Sequence, residues 1–334
     1  MNEDHVNESQ ANERRTTETA NQGYAARLHA ACVAKRSVVC VGIDPRFEML
    51  PSEFREGRAG SAAARAEAFR LWAQELLDVV APLAPVVKPQ SAFFELLGSA
   101  GVAALESVIA AAKERGLLVI LDAKRGDIGS TAAAYAQAHL ADAGADALTV
   151  NAYLGRDTLE PFVARCRDGG KGIYVLVKTS NPGSADFQDV VLEEGGLVRD
   201  RVAGAVDALG RECAAASALA ADTVTADTVW ASVGAVVGAT YPNELADLRA
   251  KMPQAPLLIP GYGAQGGGAE DCRSGFGADG LGAVVNSSRG ITFAFGKGDH
   301  AERFGDAGWR GSVEEAARTM RDALNAVRAV PDSE

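Results

Sequence analysis

Between Leu117 and Thr131 the chain reads L-L-V-I-L-D-A-K-R-G-D-I-G-S-T, an apolar run leading straight into Asp122, Lys124 and Asp127. Side chains alternate faces along an extended strand, so Asp122 and Lys124, two apart, point the same way where the strand ends. Asp127 lies beyond Gly126, past the turn of the backbone, and is free to face another surface. The pair alone also fits a structural ion pair closing one end of a sheet. Lys88, at the end of another apolar run, and Asp127 shift the balance, because several charged groups around one mouth cost desolvation unless a ligand or a reaction uses them. A lysine held between carboxylates stays protonated, which suits giving a proton to a carbanion better than forming a Schiff base.

The elements that must position these groups follow from the apolar runs. Strands are predicted at 37–43, 85–87, 117–121, 145–150, 172–177, 229–237, 255–259 and 281–285, and helices at 62–80, 98–115, 130–143, 157–167, 195–219, 242–251 and 313–327, with one more from Tyr24 leading to the first strand. Short continuous Val/Ile/Leu runs alternating with helices are what a parallel sheet buried on both faces requires. Eight such units predict an α/β fold closed as a (β/α)8 TIM barrel in a single domain, with its site at the carboxyl ends of the strands. Asp44, Lys88, Asp122, Lys124, Asn151, Ser180, Gln265 and Arg289 all fall on that rim. An open doubly wound sheet would place G-x-G-x-x-G after the first strand, and V-G-I-D-P-R stands there instead.

Two loops point to the substrate. The run Gly261-Tyr262-Gly263-Ala264-Gln265-Gly266-Gly267-Gly268 follows the seventh strand and Asn286-Ser287-Ser288-Arg289-Gly290 the eighth. Either alone is compatible with a tight turn. Together they predict a phosphate site, because glycines let backbone N–H groups approach an anion and arginine grips it with a planar fork. The substrate class is then a small phosphate monoester.

Composition removes other classes. The 334 residues are 47% hydrophobic and 23% charged, ample for a full core, and the net charge of -11 argues against general affinity for nucleic acid or an anionic membrane. Five widely spaced cysteines without a C-x-x-C pair fit free thiols in the cytoplasm and no zinc site. None of His5, His29, His139 and His300 follows a strand, which leaves no candidate for a Ser-His-Asp triad or a histidine-bound metal. No apolar run reaches the roughly 18 residues of a membrane span. Residues 1–22 lack the apolar core of a secretory signal and are read as a disordered tail, leaving 23–330 as the barrel domain.

The rim motifs resemble those of the orotidine 5'-phosphate decarboxylase family in its longer bacterial-type subgroup. The D-x-K-x-x-D-I-x-x-T pattern is present as Asp122, Lys124, Asp127, Ile128 and Thr131, alongside K-P-Q-S-A-F-F-E at 88–95, L-V-K-T-S-N-P-G-S at 176–184, I-P-G-Y-G-A-Q-G-G at 259–267 and N-S-S-R-G-I at 286–291. They stand in the family's order and span most of the chain. The resemblance implies a homodimeric barrel, free of cofactor and metal, that converts orotidine 5'-monophosphate to uridine 5'-monophosphate and carbon dioxide in pyrimidine synthesis. By motif position Lys124 protonates C6, Asp122 faces the substrate carboxylate, Lys88 completes the network, and Asp127 reaches into the partner's site toward the ribose with Thr131 close by. Asp44 is implied at a ribose hydroxyl, Ser180 at the pyrimidine edge, Gln265 between pyrimidine and phosphate, and Arg289, with the Gly263 loop, at the phosphate. One departure is N-A-Y-L-G at 151–155, where the subgroup has proline in place of Ala152; it removes no functional group. The nearest rivals are Mg²⁺-dependent sugar-phosphate decarboxylases and hexulose phosphate synthases, which share the D-x-K-x-x-D strand end, and a non-catalytic nucleotide-binding protein on the same scaffold. The segments at 88–95 and 179–184 speak against the first, and the charged tetrad against the second.

Overall fold

Eight strands, β1 Val39–Ile43, β2 Val86–Pro89, β3 Leu118–Arg125, β4 Ala147–Val150, β5 Gly172–Lys178, β6 Val233–Val237, β7 Leu257–Ile259 and β8 Ala283–Ser287, pair in parallel in chain order, and β8 closes on β1. The computed structural model describes residues 23–220, 230–263 and 266–329. The expected tail at 1–22 and Gln265 lie outside the described residues. Strand interiors are buried almost throughout, as continuous Val/Ile/Leu runs with helices outside and packed side chains inside require.

The helices bury one stripe each. In Ala62–Val80, Phe69, Trp72, Ala73, Leu76, Leu77 and Val80 recur at helical spacing and are buried, each large one contributing about 1.5–3 kcal/mol. Its start is fixed by the Ser61 hydroxyl, which accepts a hydrogen bond from the Ala64 N–H at 3.1 Å. The helix Tyr24–Lys35 closes the amino-terminal end: buried Tyr24 lies with its hydroxyl 3.0 Å from that of Tyr174. Position 172 must be glycine there, since a Cβ would sit 2.2 Å from the Tyr24 ring. With that end plugged, the carboxyl ends of the strands form the mouth.

Two elements differ from expectation. The alanine-rich stretch at 130–143 is α-helical only over Gly129–Ala136; over Gln137–Asp142 it widens to a π-helix, with the Ala143 N–H reaching back to the Ala138 carbonyl at 3.0 Å. The helix expected at 195–219 begins at Val198, because the Gly195-Gly196 pair, both at positive φ, turns the chain so that Val191 bridges Leu197 first.

Candidate active site

Asp122 is the hub of the mouth. Its Oδ2 accepts hydrogen bonds from Lys88 Nζ at 2.8 Å and Gln90 Nε2 at 3.0 Å, and its Oδ1 from Lys124 Nζ at 2.5 Å and Thr149 Oγ1 at 3.0 Å. Four donors fill the acceptor sites of one carboxylate, which fixes its plane. The donors come from the ends of three neighbouring strands: Lys88 and Gln90 at β2, Lys124 at β3, Thr149 within β4.

Strand alternation brings Lys124 back to Asp122, but the backbone between them is not regular strand. The β3–β4 register slips between Leu121 and Arg125, and Lys124 sits at φ 49°, a left-handed conformation that costs a lysine about 1–3 kcal/mol. The Thr149 hydroxyl holds the distortion: it accepts from the Ala123 N–H at 3.1 Å and the Lys124 N–H at 3.0 Å, then donates to Asp122. All the bonding capacity of one hydroxyl is spent on aiming Asp122 and Lys124.

The two lysines differ in access. The Lys88 side chain is 5% exposed and that of Lys124 45% exposed, so Lys124 is the one open to the mouth. Burial alone would lower the Lys88 pKa, but the carboxylates of Asp122 and Asp44 outweigh it and raise Lys88 above the ordinary lysine range. Burial alone would raise Asp122; the charges of Lys88 and Lys124 instead hold it well below the usual carboxylate range. The buried pair is therefore ionised at neutral pH, and Asp44, Lys88, Asp122 and Lys124 alternate in sign.

The other rim residues surround this array. Asp44, just past β1, is half-buried and its Oδ1 has no hydrogen-bond partner among the described residues; the same is true of Thr240 Oγ1 beyond β6 and Ser288 Oγ beyond β8. Buried polar oxygens normally have partners, so each of these three has hydrogen-bonding capacity that the described residues do not fill. Arg289 opens a short turn of helix after β8, half-buried and without a hydrogen bond or ion pair among the described residues. Gly42 lets that loop approach β1: a Cβ there would meet the Ser288 Cβ at 2.7 Å. Gly263 has φ +70° and donates to the Gly267 carbonyl at 2.8 Å, in a tight loop after β7 that a side chain would strain. Ser180 is half-buried just beyond β5, and its hydroxyl makes no hydrogen bond among the described residues.

Asp127 stands apart. Among the described residues it makes no hydrogen bond or ion pair with the Lys88–Asp122–Lys124 array; its Oδ1 accepts from the Ile128 N–H at 2.8 Å as the Gly129–Ala136 helix begins, with Thr131 exposed on that helix. Sequence reasoning overlooked Gln90 and Thr149. Gln90 had a signal, two residues beyond Lys88 at a strand end, as did Thr149, the polar residue inside the apolar run A-L-T-V. Among the described residues no group of three His, Cys, Asp or Glu side chains is arranged to hold a metal ion.

The fold is a closed (β/α)8 barrel with a cluster of charged side chains at its strand ends. A family model described as orotidine 5'-phosphate decarboxylase / HUMPS family matches residues 37–304. The chain is 47% identical over 312 residues to an orotidine 5'-phosphate decarboxylase of Rhodopirellula baltica, covering 90% of this chain and 98% of that one. It is 43% identical over 308 residues to one from Deinococcus radiodurans, covering 92% and 98%. The solved structure of Leishmania donovani OMP decarboxylase superposes with a TM-score of 0.69 at 34% identity, over 92% of this chain and 99% of that one. The chain belongs to the orotidine 5'-phosphate decarboxylase / HUMPS family.

Proposed function

We propose that this chain decarboxylates orotidine 5'-monophosphate to uridine 5'-monophosphate, a carboxy-lyase reaction run by side chains alone in residues 23–330. The observation that carries the reading is the Asp122 carboxylate clamped between Lys88 and Lys124, with only Lys124 open to the mouth. When the bond from C6 to the carboxylate carbon breaks, its electron pair stays on C6 in an sp² orbital that the ring does not delocalise. A fixed ammonium at Lys124 stabilises that charge electrostatically and then transfers a proton to C6, while the carboxylate leaves as carbon dioxide. Asp122 aims Lys124 and faces the substrate carboxylate; Lys88 keeps Asp122 charged.

The remaining roles follow by motif position, supported at Asp44, Ser180 and Arg289 by polar groups left without a partner among the described residues. Asp44, with its unpaired Oδ1, takes a ribose hydroxyl, and Ser180 meets the pyrimidine edge. Arg289 and the Gly263 loop take the phosphate, and Gln265 bridges pyrimidine and phosphate. A homodimer in the cytoplasm is the assembly we propose, with Asp127 and Thr131 serving the partner's ribose. Asp127 makes no bond into its own array, and Leu96, Ile128, Tyr153 and Leu154, exposed large apolar residues beyond β2, β3 and β4, offer a surface for a second copy. Among the described residues no helix is long and apolar enough to cross a membrane.

An ultraviolet assay of orotidine monophosphate consumption, with and without chelator, tests the reading. Equal turnover in both is expected. Loss of activity in chelator would favour a Mg²⁺-dependent sugar-phosphate enzyme, and binding of uridine monophosphate without turnover a non-catalytic protein.

A further inference from the structure

A second charged cluster lies behind the loop that follows β5. We propose that Lys178, Asp189, Arg199 and Glu244 form a clasp that positions this loop, and with it Ser180, for contact with the pyrimidine; the inference rests on the role given to Ser180 above. Lys178 ends β5 with its side chain 1% exposed, a placement that is unfavourable for a charge unless it is paired. Its Nζ donates to Asp189 Oδ2 at 2.7 Å, lies 3.5 Å from Glu244 Oε2, and sits 4.7 Å over the Tyr241 ring. Arg199 pairs with the same Asp189 and lies 3.1 Å from Glu244. Two cations and two anions thus join β5, the loop after it, the helix Val198–Ala220 and the helix Pro242–Lys251.

The loop is closed at its neck. The Thr179 N–H donates to Gln188 Oε1 at 2.9 Å and Gln188 Nε2 donates back to Thr179 Oγ1 at 2.8 Å, so Thr179 and Asp189 are both fixed beside the strand end. Ser180 sits at that neck, where a Cβ on Gly238 would come within 3.1 Å of it. Apolar burial does not hold the loop down, since Phe187 is 72% and Val191 73% exposed. The charges at its base act together with the Thr179–Gln188 hydrogen bonds to fix it. Loss of a member should let Ser180 drift, and a displacement of about 1 Å is enough to cost roughly 10–100-fold in rate. Lys178, Asp189, Arg199 and Glu244 are positioning residues: none lies in the Asp122 array.

The test is a double-mutant cycle between Asp189→Asn and Ser180→Ala. Asp189→Asn alone should lower kcat/KM for orotidine monophosphate by about 10–100-fold, whereas in the Ser180→Ala background it should cost less than about threefold. Inhibition constants give a readout that a general loss of structure would not: uridine monophosphate should bind more weakly to Asp189→Asn and ribose 5-phosphate unchanged. Glu244→Gln should reproduce the pattern if Asp189→Asn does not fold. Multiplying effects in the cycle, equal weakening of both ligands, or wild-type behaviour of both variants would overturn the clasp. Failure of the wild-type protein to consume orotidine monophosphate would instead overturn the underlying reading of the site.

Discussion

Thr149 shows how much of a charged site depends on a neutral group. Its hydroxyl accepts two backbone N–H groups across the irregular end of β3 and donates to Asp122, so a single oxygen holds both the left-handed Lys124 backbone and the carboxylate that aims its ammonium. Thr149→Val keeps the shape and removes all three bonds. The Ala123 and Lys124 N–H groups would lose their shared acceptor, and the variant should lose about 1 kcal/mol of stability in urea unfolding. Its kcat should fall by about tenfold or more with KM for orotidine monophosphate little changed, because binding groups elsewhere on the rim are untouched. A variant with unaltered kcat would show that Lys124 does not depend on this support.

At the scale of elements, the role proposed for the loops after β7 and β8 is to grip a phosphate remote from the reacting carbon. Arg289 is anchored by the segment that follows it: Phe293 stacks on Trp72 of the Ala62–Val80 helix with ring centroids 5.4 Å apart. Binding energy from a gripped phosphate can organise the charged array without touching it. Arg289→Ala should therefore lower kcat/KM by about two orders of magnitude, and phosphite dianion should activate the wild-type protein toward a substrate lacking phosphate. Absence of phosphite activation would separate the phosphate loops from catalysis. These loops were legible because glycine runs and an arginine at strand ends are local signals. Strand identity was legible too, since each apolar run is continuous, although β1 begins at Val39 and β8 extends to Ser287. The register slip at Asp122–Lys124 was not, because it arises from the hydrogen bonds of Thr149 on the next strand. Nor was the charge cluster around Lys178, whose members stand up to 66 positions apart in the numbering and meet only through the barrel.

For the whole molecule, closure of the barrel brings strand ends separated by more than 200 residues to one mouth, and the amino-terminal plug of Tyr24 and Tyr174 leaves that mouth as the open end. One acidic rim residue, Asp127, is not drawn in. If it serves a neighbouring copy, Lys124→Ala and Asp127→Ala subunits, each inactive alone, should regain activity on mixing, because one site of each heterodimer is then intact. Verified heterodimers without activity would place the work of Asp127 within its own chain. The short stretch from Leu117 to Thr131 would then carry the chemistry but not the reason for association.

The central claim, that the ammonium of Lys124 held by Asp122 does the chemistry, is tested most directly by Lys124→Ala. Orotidine monophosphate turnover should fall by at least about 1,000-fold while uridine monophosphate still binds. Near wild-type kcat in that variant would contradict the account.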